Sequence, residues 1–319
     1  VAAPNDHTDD LATFLSRCAV AWPKASGALA LLQAAPQDHY AQLVASEIAQ
    51  SDREQIELDL NRSTVDGLAS LSAHDAATAQ SALGRLLHAW CARRAAGYCQ
   101  GMNFMAAVLL AVMSHREAPL SAHLPAHEIP ISPRGEEREV DFAAAAARAG
   151  SSGADGVGYG EEVAFWTFVA LIELCFPAGI YAPPAMAGLQ REARALQQLA
   201  RREAPTLYGS TAVARADLDS ILALVAYKWF VPCFVDQMPL PTLLLAWDRL
   251  LFRPMRARPV GLSAAHLRLA LAVLASSEHV LAELLAGEGE EAVGHGFNHL
   301  LEVSIGATSA VVKRAEAIE

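Results

Sequence analysis

The sequence predicts an all-α fold. Three observations carry that expectation. Apolar residues recur at helical spacing along most of the chain. The helical runs stop at glycine and proline signals, at Gly97, Pro177, Pro183-Pro184, Pro205, Pro232 and Pro239. Convincing strand patterns are nearly absent.

Taken in order, the first patterned stretch is Ile56, Leu58 and Leu60, which alternate at period two and so predict a short extended stretch or an irregular loop. Residues 75–95 predict an amphipathic helix, with Leu83, Leu86, Leu87 and Trp90 at i, i+3, i+4 and i+7. Residues 102–115 are apolar on every side and predict a buried helix. Residues 161–176 carry Val163, Phe165, Trp166, Phe168, Val169, Leu171 and Ile172. Further helices are predicted over 187–202, 217–231, 241–252, 263–285 and 297–317.

Residues 116–160 differ. Pro119, Pro125, Pro130 and Pro133 lead into a charged patch at Arg134–Glu139, then Ala143–Ala147 and a Gly/Ser-rich run to Gly160. This composition reads as a flexible insertion between two packed helical lobes, about 1–115 and about 161–319. No repeat period is present, which argues against a solenoid.

With 53% hydrophobic and 18% charged residues, the chain has the composition of a globular protein with a real core. A net charge of −11 argues against nucleic acid as the main partner, because binding a phosphate backbone needs a basic face. No uncharged apolar run is long enough to span a membrane. The five cysteines, at 18, 91, 99, 175 and 233, form no C-x-x-C pair; their scatter fits free thiols in a reducing compartment. The first residue is valine, so the chain is expected to be a piece of a longer one.

Two short segments carry the chemistry. One is Ile56-Glu57-Leu58-Asp59-Leu60-Asn61-Arg62-Ser63; the other is Gly97-Tyr98-Cys99-Gln100-Gly101-Met102-Asn103-Phe104, between a glycine-marked turn and the buried helix. An arginine presents a permanently charged planar fork that suits phosphate oxygens. A glutamine amide offers one donor side and one acceptor side, enough to hold an attacking water. The plainer readings are that Arg62 pairs with Asp59 or Asp66 on the surface, and that Gln100 only caps the helix after it.

Together the segments resemble the paired signatures of the TBC-domain family, the GTPase-activating proteins for Rab GTPases, written I-x-x-D-x-x-R and Y-x-Q. The likeness continues through Glu162–Phe168, then Lys228-Trp229-Phe230, Phe234, Pro239 and Leu245–Phe252, which match the family's later segments in order. It therefore implies a single TBC-type domain filling residues 1–319. The resemblance implies that Arg62 and Gln100 are catalytic residues supplied in trans to a GTP-bound Rab. Arg62 stabilises charge and Gln100 orients the water. Asp59 and Tyr98 are supporting candidates, and Asn103 reads as a buried hydrogen-bonding residue. The nucleotide and Mg²⁺ would belong to the GTPase, so no cofactor is expected here. The resemblance further implies a cytoplasmic regulator of vesicle trafficking that meets its substrate at membrane surfaces. The alternative is a catalytically silent TBC-fold binding module or scaffold.

There are departures. The family's opening R-x-x-x-W helix has only Trp22 and Leu29–Leu32 as imperfect stand-ins, Ser63 stands where threonine is frequent, and the proline often found just beyond is absent. Other chemistry has little support. No P-loop or serine-hydrolase elbow occurs. His295 and His299 are spaced i, i+4, but no further ligand completes a metal site, so none is expected.

Overall fold

The computed structural model describes residues 11–63, 76–94, 97–115, 159–182, 185–208, 212–252, 263–285 and 290–318. All regular structure among them is helical, as the sequence predicts. Residues 116–158 of the predicted insertion lie outside the described residues.

The first helices are α1 (Leu11–Ala25), α2 (Ala28–Ala34), α3 (His39–Ala45), α4 (Gln50–Leu60), α5 (Ala76–Arg93) and α6 (Met102–Ser114). Next comes α7 (Tyr159–Ala170), whose end widens into a π turn over Leu171–Cys175, where the Phe176 N–H reaches back to Leu171 O at 2.9 Å. Helix α6 is buried along nearly its whole length, and α1, α5 and α7 pack around it. A polar cluster pins three of these elements together. Glu161 of α7, almost fully buried, takes a bidentate bond from Arg85 of α5, at 2.8 and 2.6 Å, and the phenol of Tyr40 of α3 at 2.8 Å.

The period-two stretch is corrected by the structure. Residues 56–60 are helical, part of α4. Ile56, Asp59 and Leu60, at i, i+3 and i+4, turn inward, whereas Leu58 is 55% exposed. Three apolar residues are too short a sample to separate the two periods.

The remaining helices are α8 (Ala187–Glu203), α9 (Ala212–Phe230), α10 (Leu240–Ala246) leading into a π turn over Trp247–Phe252, α11 (Ser263–Ser276), α12 (Glu278–Leu284), α13 (Glu290–Ile305) and α14 (Ser309–Ala317). Helix α9 packs on α8 and α13, and α11 packs on α8 and α14. Two predicted helices prove to be pairs. The 263–285 segment breaks at Ser277, whose hydroxyl bonds back to Leu274 O at 2.9 Å and so competes with the helix ladder. The 297–317 segment breaks at Gly306, and Thr308 restarts the chain as a cap, accepting the Ala310 N–H.

Helix α1, which the sequence marked only through Trp22, joins the two sets. The Trp22 indole is fully buried, stacks on Phe252 with centroids 4.6 Å apart, lies 5.9 Å from Trp247 and donates to Asp248 Oδ1 at 3.3 Å. A second tie runs from Tyr181, whose phenol donates to Val231 O at 2.8 Å.

Candidate functional site

Helix α4 ends at Leu60, two residues before Arg62. Its last turn tightens into i→i+3 bonds: Arg62 N–H to Asp59 O at 3.0 Å and Ser63 N–H to Leu60 O at 3.4 Å. The Ser63 hydroxyl also donates to Asp59 O, at 2.6 Å. These bonds hold the backbone on both sides of Arg62 while its side chain stands exposed. The structure shows no ion pair from Arg62 to Asp59 or to any other described residue; Asp66 lies outside them.

The second turn is fixed by two glycines and by α4. Gly97 has φ +72°, and a Cβ there would sit 2.9 Å from Asp52 Oδ1. That carboxylate comes so close because it accepts the Tyr98 N–H, at 3.2 Å. From the other side the Trp90 indole donates to Gly97 O at 3.1 Å. Gly101 has φ +104°, and a Cβ there would lie 2.7 Å from Val231 Cγ1, so the turn rests directly on the chain leaving α9. Gln100 is at the apex, exposed, with no side-chain hydrogen bond to a described residue. It is not the helix cap: Gly101 holds that position, and its N–H is taken by Asn103 Oδ1 at 3.0 Å.

Buried polar groups join the two turns. The Tyr98 phenol donates to Asp59 Oδ2 at 2.8 Å, across 39 residues of sequence, and lies 3.1 Å from Asn103 Oδ1. Asn103 Nδ2 donates to Ser63 Oγ at 3.0 Å. Asp59 and Asn103 are each only 1% exposed. Burial, then the bond to Asp59 and its charge, push the Tyr98 pKa far above the ordinary phenol value, so the phenol stays a proton donor at any physiological pH. Burial chiefly, with Asp59 adding, also raises the Cys99 thiol, which argues against its acting as a nucleophile.

The four residues singled out in the sequence thus fall into two pairs. Arg62 and Gln100 are outward and unengaged among the described residues; Asp59 and Tyr98 are the inward struts beneath them. Sequence reasoning missed Ser63 and Asp52 as parts of this framework. A serine one position after an exposed arginine and an aspartate ten positions before it give no signal of bonds to a turn 40 or more residues away.

The Rab-GTPase-TBC domain family profile matches residues 17–282, and the stretch includes both turns.

The chain belongs to the Rab-GTPase-TBC domain family.

Growth hormone-regulated TBC protein 1 of Homo sapiens is 26% identical over 227 residues, 71% of this chain and 52% of that protein. Its Danio rerio relative, protein 1-A, is 25% identical over 231 residues, 72% of this chain and 50% of that protein. The chain therefore spans about half the length of these curated relatives. Among solved structures, the Chlamydomonas flagellar RabGAP TBC domain superposes with a TM-score of 0.62 at 20% identity, covering 99% of this chain and 86% of that one. The Ypt/Rab-GAP domain of Gyp1p gives a TM-score of 0.51 at 18% identity, covering 94% and 93%. At those identities the structures speak for the TBC fold alone. None of the described helices is long and apolar enough to cross a membrane.

Proposed function

We propose that this TBC domain accelerates GTP hydrolysis by a Rab-family small GTPase in its GTP-bound form, through Arg62 and Gln100. The observation that carries the reading is the pairing of two exposed, unengaged side chains of these types on turns that share one buried polar framework. A guanidinium placed beside the γ-phosphate neutralises charge that grows in the transition state. An amide placed beside it holds the attacking water in line. Such an arginine typically contributes ~10³–10⁵ in rate, or roughly 4–7 kcal/mol of barrier. Rigid turns matter because both groups must arrive already oriented.

GTP and Mg²⁺ come with the partner, and the residues of this site act on them only in the complex. Exposed apolar side chains suit a protein partner: Leu58 on α4, four residues before Arg62, and Leu224 and Tyr227 on α9, whose end bears on Gly101. The protein is then a cytoplasmic regulator that meets its substrate on membranes through the GTPase.

The test separates an activator from a silent scaffold. An activator binds a Rab·GDP complex carrying aluminium fluoride, a mimic of the transferring phosphoryl group, far more tightly than Rab·GDP alone. Equal affinity for the two states across a Rab panel would leave only the scaffold.

A further inference from the structure

Building on the reading that Arg62 and Gln100 act in trans, we propose that Asn103 is a positioning residue that fixes the Arg62 turn and the Gln100 turn relative to one another. The inference rests on a directed chain of bonds. Gly101 N–H donates to Asn103 Oδ1 at 3.0 Å, Asn103 Nδ2 donates to Ser63 Oγ at 3.0 Å, and Ser63 Oγ donates to Asp59 O at 2.6 Å. Gly101 is the residue after Gln100, and Ser63 the residue after Arg62. The chain thus links the two backbones at the positions adjacent to the exposed side chains.

The direction of each bond is set by valence. The Gly101 N–H can only donate, so the oxygen of the amide must face it. The Ser63 proton is used on a carbonyl, so Ser63 must accept, and the nitrogen of the amide must face it. Only a short side chain with a donor and an acceptor on one fork satisfies both ends. Aspartate puts an acceptor against an acceptor, next to Asp59. Leucine or alanine leaves the N–H of the buried Gly101 unsatisfied and takes the amide donor away from the half-buried Ser63. The Tyr98 proton goes to the Asp59 carboxylate, the stronger acceptor and the nearer one, so it forms a separate tie between the turns and leaves Asn103 Oδ1 to the Gly101 N–H.

Asn103 touches neither substrate nor nucleotide in this reading; it acts through Arg62 and Gln100. Misplacing groups of that kind by about an ångström costs ~10²-fold in rate. The experiment measures single-turnover GTP hydrolysis, with a Rab that the wild-type domain activates, for Asn103→Ala, Ser63→Ala and Ser63→Thr. Asn103→Ala and Ser63→Ala are expected to lower kcat by roughly 10- to 100-fold with KM nearly unchanged. Ser63→Thr keeps the hydroxyl and is expected to keep the rate. In an Arg62→Ala background, adding Asn103→Ala is expected to cost less than it costs in the wild-type domain, because one of the two groups it positions is already gone. A normal kcat in folded Asn103→Ala and Ser63→Ala, or a full multiplicative loss in the Arg62→Ala background, overturns the proposal.

Amide hydrogen exchange gives a readout independent of any activity. Asn103→Ala should deprotect Gly101 together with Arg62 and Ser63; deprotection confined to Gly101 overturns the link. A wild-type domain inactive on every Rab would remove the activator reading, while exchange would still decide whether the turns are coupled.

Discussion

Gly101→Ala offers the sharpest perturbation of the contact between the Gln100 turn and the second half of the chain. Two separable penalties are expected. Alanine at φ +104° is strained wherever it sits, by ~1–3 kcal/mol. Its Cβ would also lie 2.7 Å from Val231 Cγ1, against an ordinary carbon–carbon separation of about 3.5–4.0 Å, and relieving that overlap costs ~1–3 kcal/mol more. The next neighbours, backbone atoms of Val231 and Pro232, are at 3.6 Å and do not clash. The steric part should therefore vanish when Val231 is cut back, whereas the backbone part should not. Val231→Ala alone removes a half-buried side chain at ~1 kcal/mol. In Gly101→Ala/Val231→Ala the losses should fall short of additive by ~1–3 kcal/mol. Urea unfolding of the four proteins measures this coupling. Additivity within ~0.5 kcal/mol would refute the claim that Val231 is what the turn rests on.

Other expectations follow from the same structure. Trp22→Ala removes the stack on Phe252 and the bond to Asp248, and should cost ~3–5 kcal/mol, seen as a large fall in thermal midpoint; a small fall would mean that the two sets of helices are held together elsewhere. Tyr98→Phe leaves the buried Asp59 carboxylate without its phenol donor and should cost ~1–3 kcal/mol in urea titrations, with a larger proportional loss of GTPase activation than of partner binding. Alkaline pH should destabilise the fold. Burial raises Cys91 and Cys233 from 9.0 to about 12 and holds Tyr40, Tyr98 and Tyr181 well above 10.0. The folded chain then keeps protons that the unfolded chain releases, so this stability is complete below about pH 9 and declines above it, by ~1.4 kcal/mol per pH unit for each group retained. A urea midpoint unchanged between pH 7 and pH 10.5 would contradict that sign.

The helices were legible in the sequence wherever one face was repeatedly apolar. The run after Gly101 reads as buried because it is buried, and the glycines at 97 and 101 mark the positive-φ positions that shape the Gln100 turn. Breaks inside long helical patterns were not legible. Ser277 stops a helix by turning its hydroxyl onto its own backbone, a local competition that periodicity ignores. Helix α4 was misread because Ile56, Leu58 and Leu60 fit two periods equally, and the burial that decides between them comes from α5 and α6. In the site, the sequence points to Arg62, Gln100, Asp59 and Tyr98 through family resemblance. The bonds among Ser63, Asn103 and Gly101 join segments far apart in the chain. No spacing rule encodes them; they become visible only once α4 and α6 lie side by side. The role of Trp22 was hidden for the same reason, since its partners lie more than 200 residues away.

The central claim is that Arg62 and Gln100 act together in trans on a GTP-bound Rab. Single-turnover GTP hydrolysis across a Rab panel, with the wild-type domain, Arg62→Ala and Gln100→Ala, tests it most directly. The account predicts acceleration of at least one Rab, with each variant slowed by ~10²-fold or more while remaining folded. Flat rates across the panel, or full acceleration by either variant, would contradict it.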